Sequence, residues 1–373
     1  MRITVSTPGA PGPAFGTWDY IYDSLVELFP RKQVSTLRRA RRSLCETDSS
    51  GRGARIEGPS RQGYPMQILR SVFIALSQNR FLRSFCEHSS VGRKLSSRFV
   101  AGMEIADALR VAEELNRQGM TVTLDSLGES VTSEPEAVAA ALVYHRLLDA
   151  IAERKLKANV SVKLTQMGLE VSPALAEGLV EDLARHAKAK GSFVRIDMEG
   201  SRLTEATLGM VRRLHAKPEL NEAIGAVIQA YLYRSQADVE QLLAESIRVR
   251  LCKGAYQEPA ELAFPRKADV DASYVRLSCR LLSSPLYHGL ATHDETMIDA
   301  ARNFARQNRI DPSRFEFQML FGVRRDLQRR LVGEGYRVRV YIPFGPHWYP
   351  YFMRRLAERP ANLLFILKNL MRS

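Results

Sequence analysis

Eight short β-rich segments, each followed by a segment of helical character, constrain the fold more than any other feature of this sequence. The β-rich segments are 121–125, 159–164, 193–198, 226–232, 248–254, 289–293, 315–320 and 337–343. The segments between them, such as 135–154, 173–189 and 204–215, carry apolar residues at helical spacing. Strands that alternate with helices form parallel sheets through βαβ units. Because eight such units in about 250 residues are typical of a closed barrel, we predict a (βα)8 TIM-type barrel over 119–373.

Polar and apolar residues alternate within the predicted strands. In NVSVKL, Ser161 and Lys163 share one parity, and in FVRIDM, Arg195 and Asp197 do. Side chains alternate across a strand, so one face should pack on helices while the other points into the barrel. An inward charge is tolerated near the carboxyl-terminal mouth, where barrel enzymes place their active sites.

Polar side chains stand at the ends of all eight predicted strands, and basic residues outnumber acidic ones there. They are Asp125, Lys163, Asp197, Gln229, Arg250 with Lys253, His293, Gln318 and Tyr341. One such residue alone is more often a helix cap or a turn residue. A polar group at every strand end indicates a ligand site, and the basic excess favours an anionic ligand.

Two basic motifs suit such a ligand. Lys253 precedes Gly254 and Ala255, which places a cation beside small residues that allow close approach of a phosphate. Near the carboxyl terminus, the adjacent Arg354 and Arg355 form a pair of guanidinium groups suited to a carboxylate. The alternatives are an ordinary turn with a solvated lysine and a solvated helix face.

The amino-terminal part differs in composition from the rest. Residues 1–65 are rich in Gly, Pro, Ser and charge, and we predict them to be disordered. Residues 66–118 are predicted to form a helical arm, with helices at 66–85 and 104–118, because apolar residues recur there at helical spacing.

The net charge of +13 favours anionic partners. No run of about 18 apolar residues occurs, and no aromatic-interleaved basic motif predicts nucleic-acid binding. We therefore expect a cytoplasmic protein that contacts anionic lipid peripherally, at the inner face of the cell membrane. The candidate contacts are Arg80, Arg83, Arg93, Lys94 and Arg98, and the favoured alternative is that these charges are solvated helix faces that cover the barrel. The four cysteines form no C-x-x-C pair, which fits a reducing compartment.

Several segments together resemble the proline dehydrogenases in order and spacing, over about 65–373. They are LDSLGE, VSVKLTQMGL, VRIDMEGS, IQAYLYRS, RLCKGAYQEP, ATHD, FEFQML and YIPFGPHWYPYFMRRLAERPANLL. The resemblance, to the monofunctional bacterial type, implies a distorted (βα)8 barrel with a lid helix and bound FAD. It also implies oxidation of L-proline to Δ1-pyrroline-5-carboxylate, electron transfer to a membrane quinone, and a separate pyrroline-5-carboxylate dehydrogenase as a partner.

The resemblance assigns roles position by position. It implies an active site at Asp197 and Arg250, with Arg250 near the flavin N5. It implies that proline is bound by Lys163, Arg354 and Arg355, walled by Tyr341 and Leu320, and closed in by Glu129, which pairs with a lid-helix arginine. It implies FAD contacts at Met198, Gln229, Arg250, Lys253, Gly254, Ala255, Thr292 and His293. No metal ligand is implied.

Two other functions stay open on the residues alone. A Schiff-base aldolase on the same barrel would use Lys163 as its nucleophile. A basic module that binds a membrane or a nucleic acid would use the barrel only as a scaffold, although surface binding does not require polar groups at every strand end.

Overall fold

The structure of the protein is a computed structural model that describes residues 97–128 and 130–358, and of 354–358 the backbone alone. The predicted disordered segment 1–65, the predicted helix 66–85 and four of the five candidate lipid contacts lie outside the described residues. Arg98, the fifth, is exposed. The domain boundaries therefore stay predictions.

Eight parallel strands close into a barrel in which each strand pairs with the next in sequence and the last pairs with the first. They are β1 Thr121–Ser126, β2 Ala158–Val162, β3 Val194–Ile196, β4 Ile224–Gln229, β5 Arg248–Cys252, β6 His288–Ala291, β7 Phe315–Leu320 and β8 Arg337–Phe344. The predicted (βα)8 barrel is confirmed.

Helices surround the barrel. They are α1 Ile105–Arg117, α2 Glu134–Glu153, α3 Pro173–Ala189, α4 Thr204–His215, α5 Ser235–Ala244, α6 Lys267–Leu282, α7 Glu295–Gln307, α8 Arg325–Gly333 and α9 Trp348–Glu358, with 3-10 turns at Ser201–Leu203 and Pro312–Arg314. Helix α3 starts where its sequence predicts, because Ser172 accepts the N–H of Leu175 and Pro173 occupies the first turn. Helix α1 matches the predicted helix 104–118 and packs against β1 and β8. Among the described residues, no helix is both long and apolar enough to cross a membrane.

The strand bounds differ from the prediction mainly at the carboxyl-terminal ends. Lys163 and Asp197 lie one residue beyond β2 and β3, and Lys253 lies one residue beyond β5. The alternation of polar and apolar residues continues past the last ladder pair, because the first loop residues still line the mouth of the barrel. The sequence pattern therefore extends the predicted strands into these loops.

The two faces predicted from the alternation are confirmed. Val160 and Val162 are fully buried in the apolar layer between strands and helices. Ser161, of the opposite parity, donates a 2.7 Å hydrogen bond to Asp197 Oδ1. Arg195 Nη1 donates to the carbonyls of Ala226 and Arg248 on the next two strands of the barrel.

A buried ionic layer lies inside the barrel below its mouth. The Glu316 carboxylate is 3% exposed and accepts from Arg339 Nε at 2.6 Å and from the Tyr287 hydroxyl at 2.9 Å. Burial raises the pKa of Glu316, but Arg339 and the hydrogen bonds outweigh burial and leave this pKa below its ordinary value. Glu316 is therefore a charged, acceptor-only group in the barrel interior.

His288, the first residue of β6, is held neutral. Its ring is buried; Nδ1 accepts the backbone N–H of Val249 at 3.0 Å, and Nε2 lies 2.8 Å from Ser284 Oγ. Burial, with the charges of Arg195 and Arg248, lowers the pKa of His288 from 6.5 to about 3. Protonation of Nδ1 would break the bond to Val249 and bury a third positive charge beside the two arginines.

This depressed pKa predicts acid sensitivity. Neutral His288 contributes its full stabilisation above pH 6.5. As the pH falls toward about 3, the unfolded chain takes up the proton first, and the free energy of unfolding therefore decreases. Between pH 6.5 and about 4 this proton uptake should lower the free energy of unfolding by about 3 kcal/mol, at 1.36 kcal/mol per pKa unit. Urea unfolding across this range should show a shallower pH slope for His288→Gln than for the wild type or for the control His145→Gln. Equal slopes would contradict the assignment.

Candidate active site

Asp197 is the shared acceptor at the mouth of the barrel. Its Oδ1 accepts from Arg250 Nη1 at 2.6 Å and from Ser161 Oγ at 2.7 Å, and its Oδ2 accepts from the Tyr341 hydroxyl at 2.7 Å. Lys163 Nζ lies 4.0 Å from Oδ2. The structure thus brings four residues in or directly after three strands (β2, β5 and β8) around one carboxylate. Three of them, Lys163, Arg250 and Tyr341, were predicted as site residues.

Lys163 has a second carboxylate partner in Asp125, the fifth residue of β1. Its Nζ lies 3.3 Å from Oδ1 and 3.2 Å from Oδ2 of Asp125, whose side chain is 1% exposed. Burial raises the pKa of Asp125 above its ordinary value; Lys163 opposes this shift, and Asp197 adds to it. Asp125 was predicted to stand at a strand end, but no role was assigned to it.

Two tyrosines border the carboxylates as neutral groups. Burial is the largest cause that raises the pKa of Tyr341 and of Tyr144 well above 10, and the charges of Asp125 and Asp197 add to it. The Tyr144 hydroxyl lies 3.3 Å from Asp125 Oδ1 and 3.0 Å from Gln166 Oε1. Sequence reasoning missed Tyr144, because an aromatic residue on the apolar face of a helix is indistinguishable from an ordinary core residue.

Three of the five N–H groups of Arg250 donate to described residues. Besides Asp197, its Nη1 donates to Ser161 Oγ at 3.2 Å, and its Nε donates to Gln318 Oε1 at 2.5 Å. Its Cζ lies 5.2 Å from the centroid of the Tyr341 ring. Gln318 was predicted at a strand end; its contact with Arg250 crosses β6 and has no signal in the sequence.

A second group of predicted residues lies around the ends of β3 and β4. Gln229 is 3% exposed, and its Nε2 donates to the Met198 carbonyl at 3.4 Å. The Oε1 of the same amide is buried and has no hydrogen-bond partner among the described residues. A buried acceptor without a partner is costly, and a bound ligand with an N–H or O–H group would satisfy it.

The Lys253–Gly254–Ala255 turn follows β5. Lys253 Nζ is held by Asp271 at 2.5 Å and by Asp294 at 2.9 Å, so this cation is fixed by two carboxylates and is not a solvated lysine. Gly254 has φ +110°, and a Cβ there would lie 2.3 Å from the Tyr231 ring. Only glycine satisfies both conditions. Ala255 is exposed.

The remaining predicted residues lie at the ends of β6 and β7 and connect these two strand ends by hydrogen bonds. Thr292 is buried; its N–H donates to the Gln318 carbonyl at 3.1 Å, and its Oγ1 accepts the Asp294 N–H. His293 Nε2 accepts the backbone N–H of Leu320 at 2.8 Å, which ties the end of β6 to the half-buried Leu320.

The side chains of three predicted residues are not described. Glu129 and the side chains of Arg354 and Arg355 lie outside the described part of the chain; both arginines belong to the backbone of α9. Among the charges described at the mouth, Lys163 and Arg250 are balanced by Asp125 and Asp197. A bound anion would therefore need additional positive charge.

The chain is similar to known proteins over most of its length. A family model described as proline dehydrogenase matches residues 108–368. Proline dehydrogenase 1 of Bacillus subtilis subsp. natto is 42% identical over 306 residues, which cover 82% of this chain and 100% of that protein. Proline dehydrogenase of Deinococcus radiodurans is 40% identical over 281 residues, which cover 74% of this chain and 90% of that protein.

A solved structure gives the same result for the fold. The crystal structure of proline utilization A (PutA) from Bdellovibrio bacteriovorus, inactivated by N-propargylglycine, superposes with a TM-score of 0.70 at 25% identity. The match covers 88% of this chain and 41% of that one. The barrel, the polar cluster at its mouth and the relatives that match along most of the chain lead to one conclusion: this chain belongs to the proline dehydrogenase family of oxidoreductases.

Proposed function

We propose that this protein catalyses the FAD-dependent oxidation of L-proline to Δ1-pyrroline-5-carboxylate and passes the electrons to a membrane quinone. The observation that carries the proposal is the cluster at the mouth of a barrel of this family, where Asp197 accepts from Arg250 and Tyr341 and lies 4.0 Å from Lys163. Such a cluster offers fixed cations and neutral donors to an anionic substrate and to a redox cofactor that gains negative charge.

The residues present fit FAD. The unpartnered Oε1 of Gln229 is an acceptor for a ring N–H, and the Tyr231 ring, which fills the space of a side chain at Gly254, fixes the backbone of the turn that follows β5. The residues that would hold the cofactor are Met198, Gln229, Arg250, Lys253, Gly254, Ala255, Thr292 and His293. Bound FAD would supply the hydride acceptor, and the protein would supply orientation and electrostatics.

Substrate positioning falls to the cations. Lys163, Arg354 and Arg355 would bind the proline carboxylate, and the two arginines would supply the positive charge that Lys163 and Arg250 lack once they are balanced by Asp125 and Asp197. Tyr341 and Leu320 would wall the ring, and Glu129 would pair with an arginine of the lid helix. These contacts would orient the ring carbon beside the nitrogen toward the hydride acceptor.

Electron transfer to a membrane quinone requires the protein to contact a lipid surface. A quinone resides in the bilayer, so we propose a cytoplasmic enzyme that reaches the inner face of the cell membrane peripherally, assisted by its charge of +13. Its product would be consumed by a separate pyrroline-5-carboxylate dehydrogenase.

The direct test is the absorbance spectrum of the purified full chain before and after L-proline is added without oxygen. We expect flavin absorbance, release of the flavin by acid denaturation, and bleaching of the visible flavin band by L-proline but not by D-proline. A colourless protein, or a flavin that proline does not reduce, would refute the proposal.

A Schiff-base aldolase would give neither signal. It would need Lys163 Nζ as a neutral nucleophile, yet this nitrogen lies between two carboxylates, 3.2 Å from Asp125 and 4.0 Å from Asp197. These contacts support an ion-pairing role for Lys163.

The carboxylate assignment predicts a specific kinetic defect. Arg354→Met and Arg355→Met should each raise KM for proline by about 10- to 150-fold, since a charged hydrogen bond contributes about 1.5–3 kcal/mol. FAD content should stay unchanged. Steady-state kinetics and flavin absorbance test this, with Arg276→Met, an exposed arginine of α6, as the matched control. An unaltered KM in both variants would reject the assignment.

A further inference from the structure

Three acceptors fix the plane of the Arg250 guanidinium. Nε donates to Gln318 Oε1 on β7, and Nη1 donates to Ser161 on β2 and to Asp197 just beyond β3. Of the five N–H groups of an arginine, three are thus used by the protein. The other two, on Nη2, make no hydrogen bond to the described residues, so the geometry leaves this one edge of the fork available to a ligand.

The orientation of the Gln318 amide is itself determined from below. Its Nε2 donates to Glu316 Oε1 at 2.6 Å, and Glu316 is kept ionised by Arg339. A carboxylate can only accept hydrogen bonds, so it selects the amide orientation with nitrogen toward Glu316 and oxygen toward Arg250. The buried Glu316 carboxylate therefore determines that the oxygen of the Gln318 amide, and not its nitrogen, faces Arg250.

Glycine in the intervening strand makes the contact possible. Gly289 of β6 pairs with Arg250 on one side and with Glu316 on the other. A Cβ at Gly289 would lie 2.3 Å from Gln318 Nε2 and 2.8 Å from its Cδ. Any other residue at position 289 would displace the Gln318 side chain, which reaches from β7 across β6 to Arg250 on β5.

We propose that Gln318, oriented by Glu316 and admitted by Gly289, is a positioning residue that holds Arg250 with Nη2 free for the bound flavin and thereby sets the reduction potential of that flavin. The inference rests on the proposed function. A cation held beside the flavin stabilises the negative charge gained on reduction, and a preorganised cation does so without first having to reorient. If the Arg250 guanidinium loses its hydrogen bond at Nε, reduction of the flavin becomes less favourable.

The test uses the flavin-loaded full-length protein and measures its midpoint potential. Gln318→Asn keeps the amide but withdraws it from Arg250. Gly289→Ala changes no polar residue, but its added Cβ displaces the Gln318 amide. We expect both variants to bind flavin and to show a potential lower by at least about 30 mV, a tenfold change for a two-electron couple. Gly289→Ala keeps the test available if Gln318→Asn does not fold.

The matched control is Gln328→Asn. Gln328 is a buried glutamine of α8 whose Nε2 donates to the carbonyls of Leu320 and Val323, away from Arg250. It should lose comparable thermal stability while its flavin potential stays at the wild-type value. A role of Gln318 in stability alone would give the same result for all three variants, lower stability with unchanged potential, and would overturn the inference. Wild-type protein without proline-reducible flavin would overturn the proposed function itself.

Discussion

Asp197→Asn is expected to lower kcat/KM for proline by about 10²-fold or more and the free energy of unfolding by about 3 kcal/mol. Asp197 is the common partner of Arg250 at 2.6 Å and of Tyr341 at 2.7 Å, and these side chains are largely buried. Removing one partner of a buried, hydrogen-bonded charge pair costs about 2–5 kcal/mol, because the other charge stays behind without compensation. The single amide oxygen can still accept from either Ser161 or Tyr341, which keeps the stability loss near the lower end.

Kinetics with proline, flavin content and urea unfolding measure these effects. The matched control is Asp299→Asn, which removes a charge that pairs with Arg302 at 3.4 Å on the exposed face of α7. Exposed pairs contribute about 0–1 kcal/mol, so the control should keep both activity and stability. Near-wild-type kcat/KM in Asp197→Asn would exclude Asp197 from the reaction centre.

Lys163→Met should reduce kcat/KM for proline by about 10²-fold, mainly through KM, at nearly unchanged flavin content. The methionine fills a similar volume but removes the ammonium that we assign to the substrate carboxylate. It also leaves Asp125, which is 1% exposed, without its cation at 3.2 Å. Loss of one partner of such a buried pair costs about 2–5 kcal/mol.

The same variant has a pH signature. Burial already raises the pKa of Asp125, and Lys163 is the main influence that opposes the shift. Without Lys163 the pKa should rise further, so the folded variant holds a proton that the unfolded chain releases above pH 3.8. Its unfolding free energy should then fall as the pH rises from about 4 toward neutrality, more steeply than in the wild type. Lys190→Met, which removes an exposed partner of Asp149, is the control. A parallel pH dependence of Lys163→Met and wild type would contradict this account of the pair.

The architecture was predictable because the spacing of polar and apolar residues along the chain identifies each strand and helix. Alternation over 159–164 and 193–198, with helical spacing between them, identified the strands, their order and their inward faces, since side-chain direction in a strand depends only on parity. The same argument placed Lys163, Asp197 and Arg250 together at the mouth, because the ends of all parallel strands in a closed barrel meet there. The family resemblance named their roles, which the experiments above would test.

The barrel, the inward parity and the identity of the mouth residues could all be predicted from local patterns along the chain. The tertiary structure alone decided which of them touch: Asp197 as the shared acceptor, Asp125 with Tyr144 behind Lys163, and the reach of Gln318 across Gly289 to Arg250. These contacts join residues between 19 and 144 positions apart. They depend on strand stagger and on the space left by a missing side chain, and no local pattern in the chain encodes either quantity.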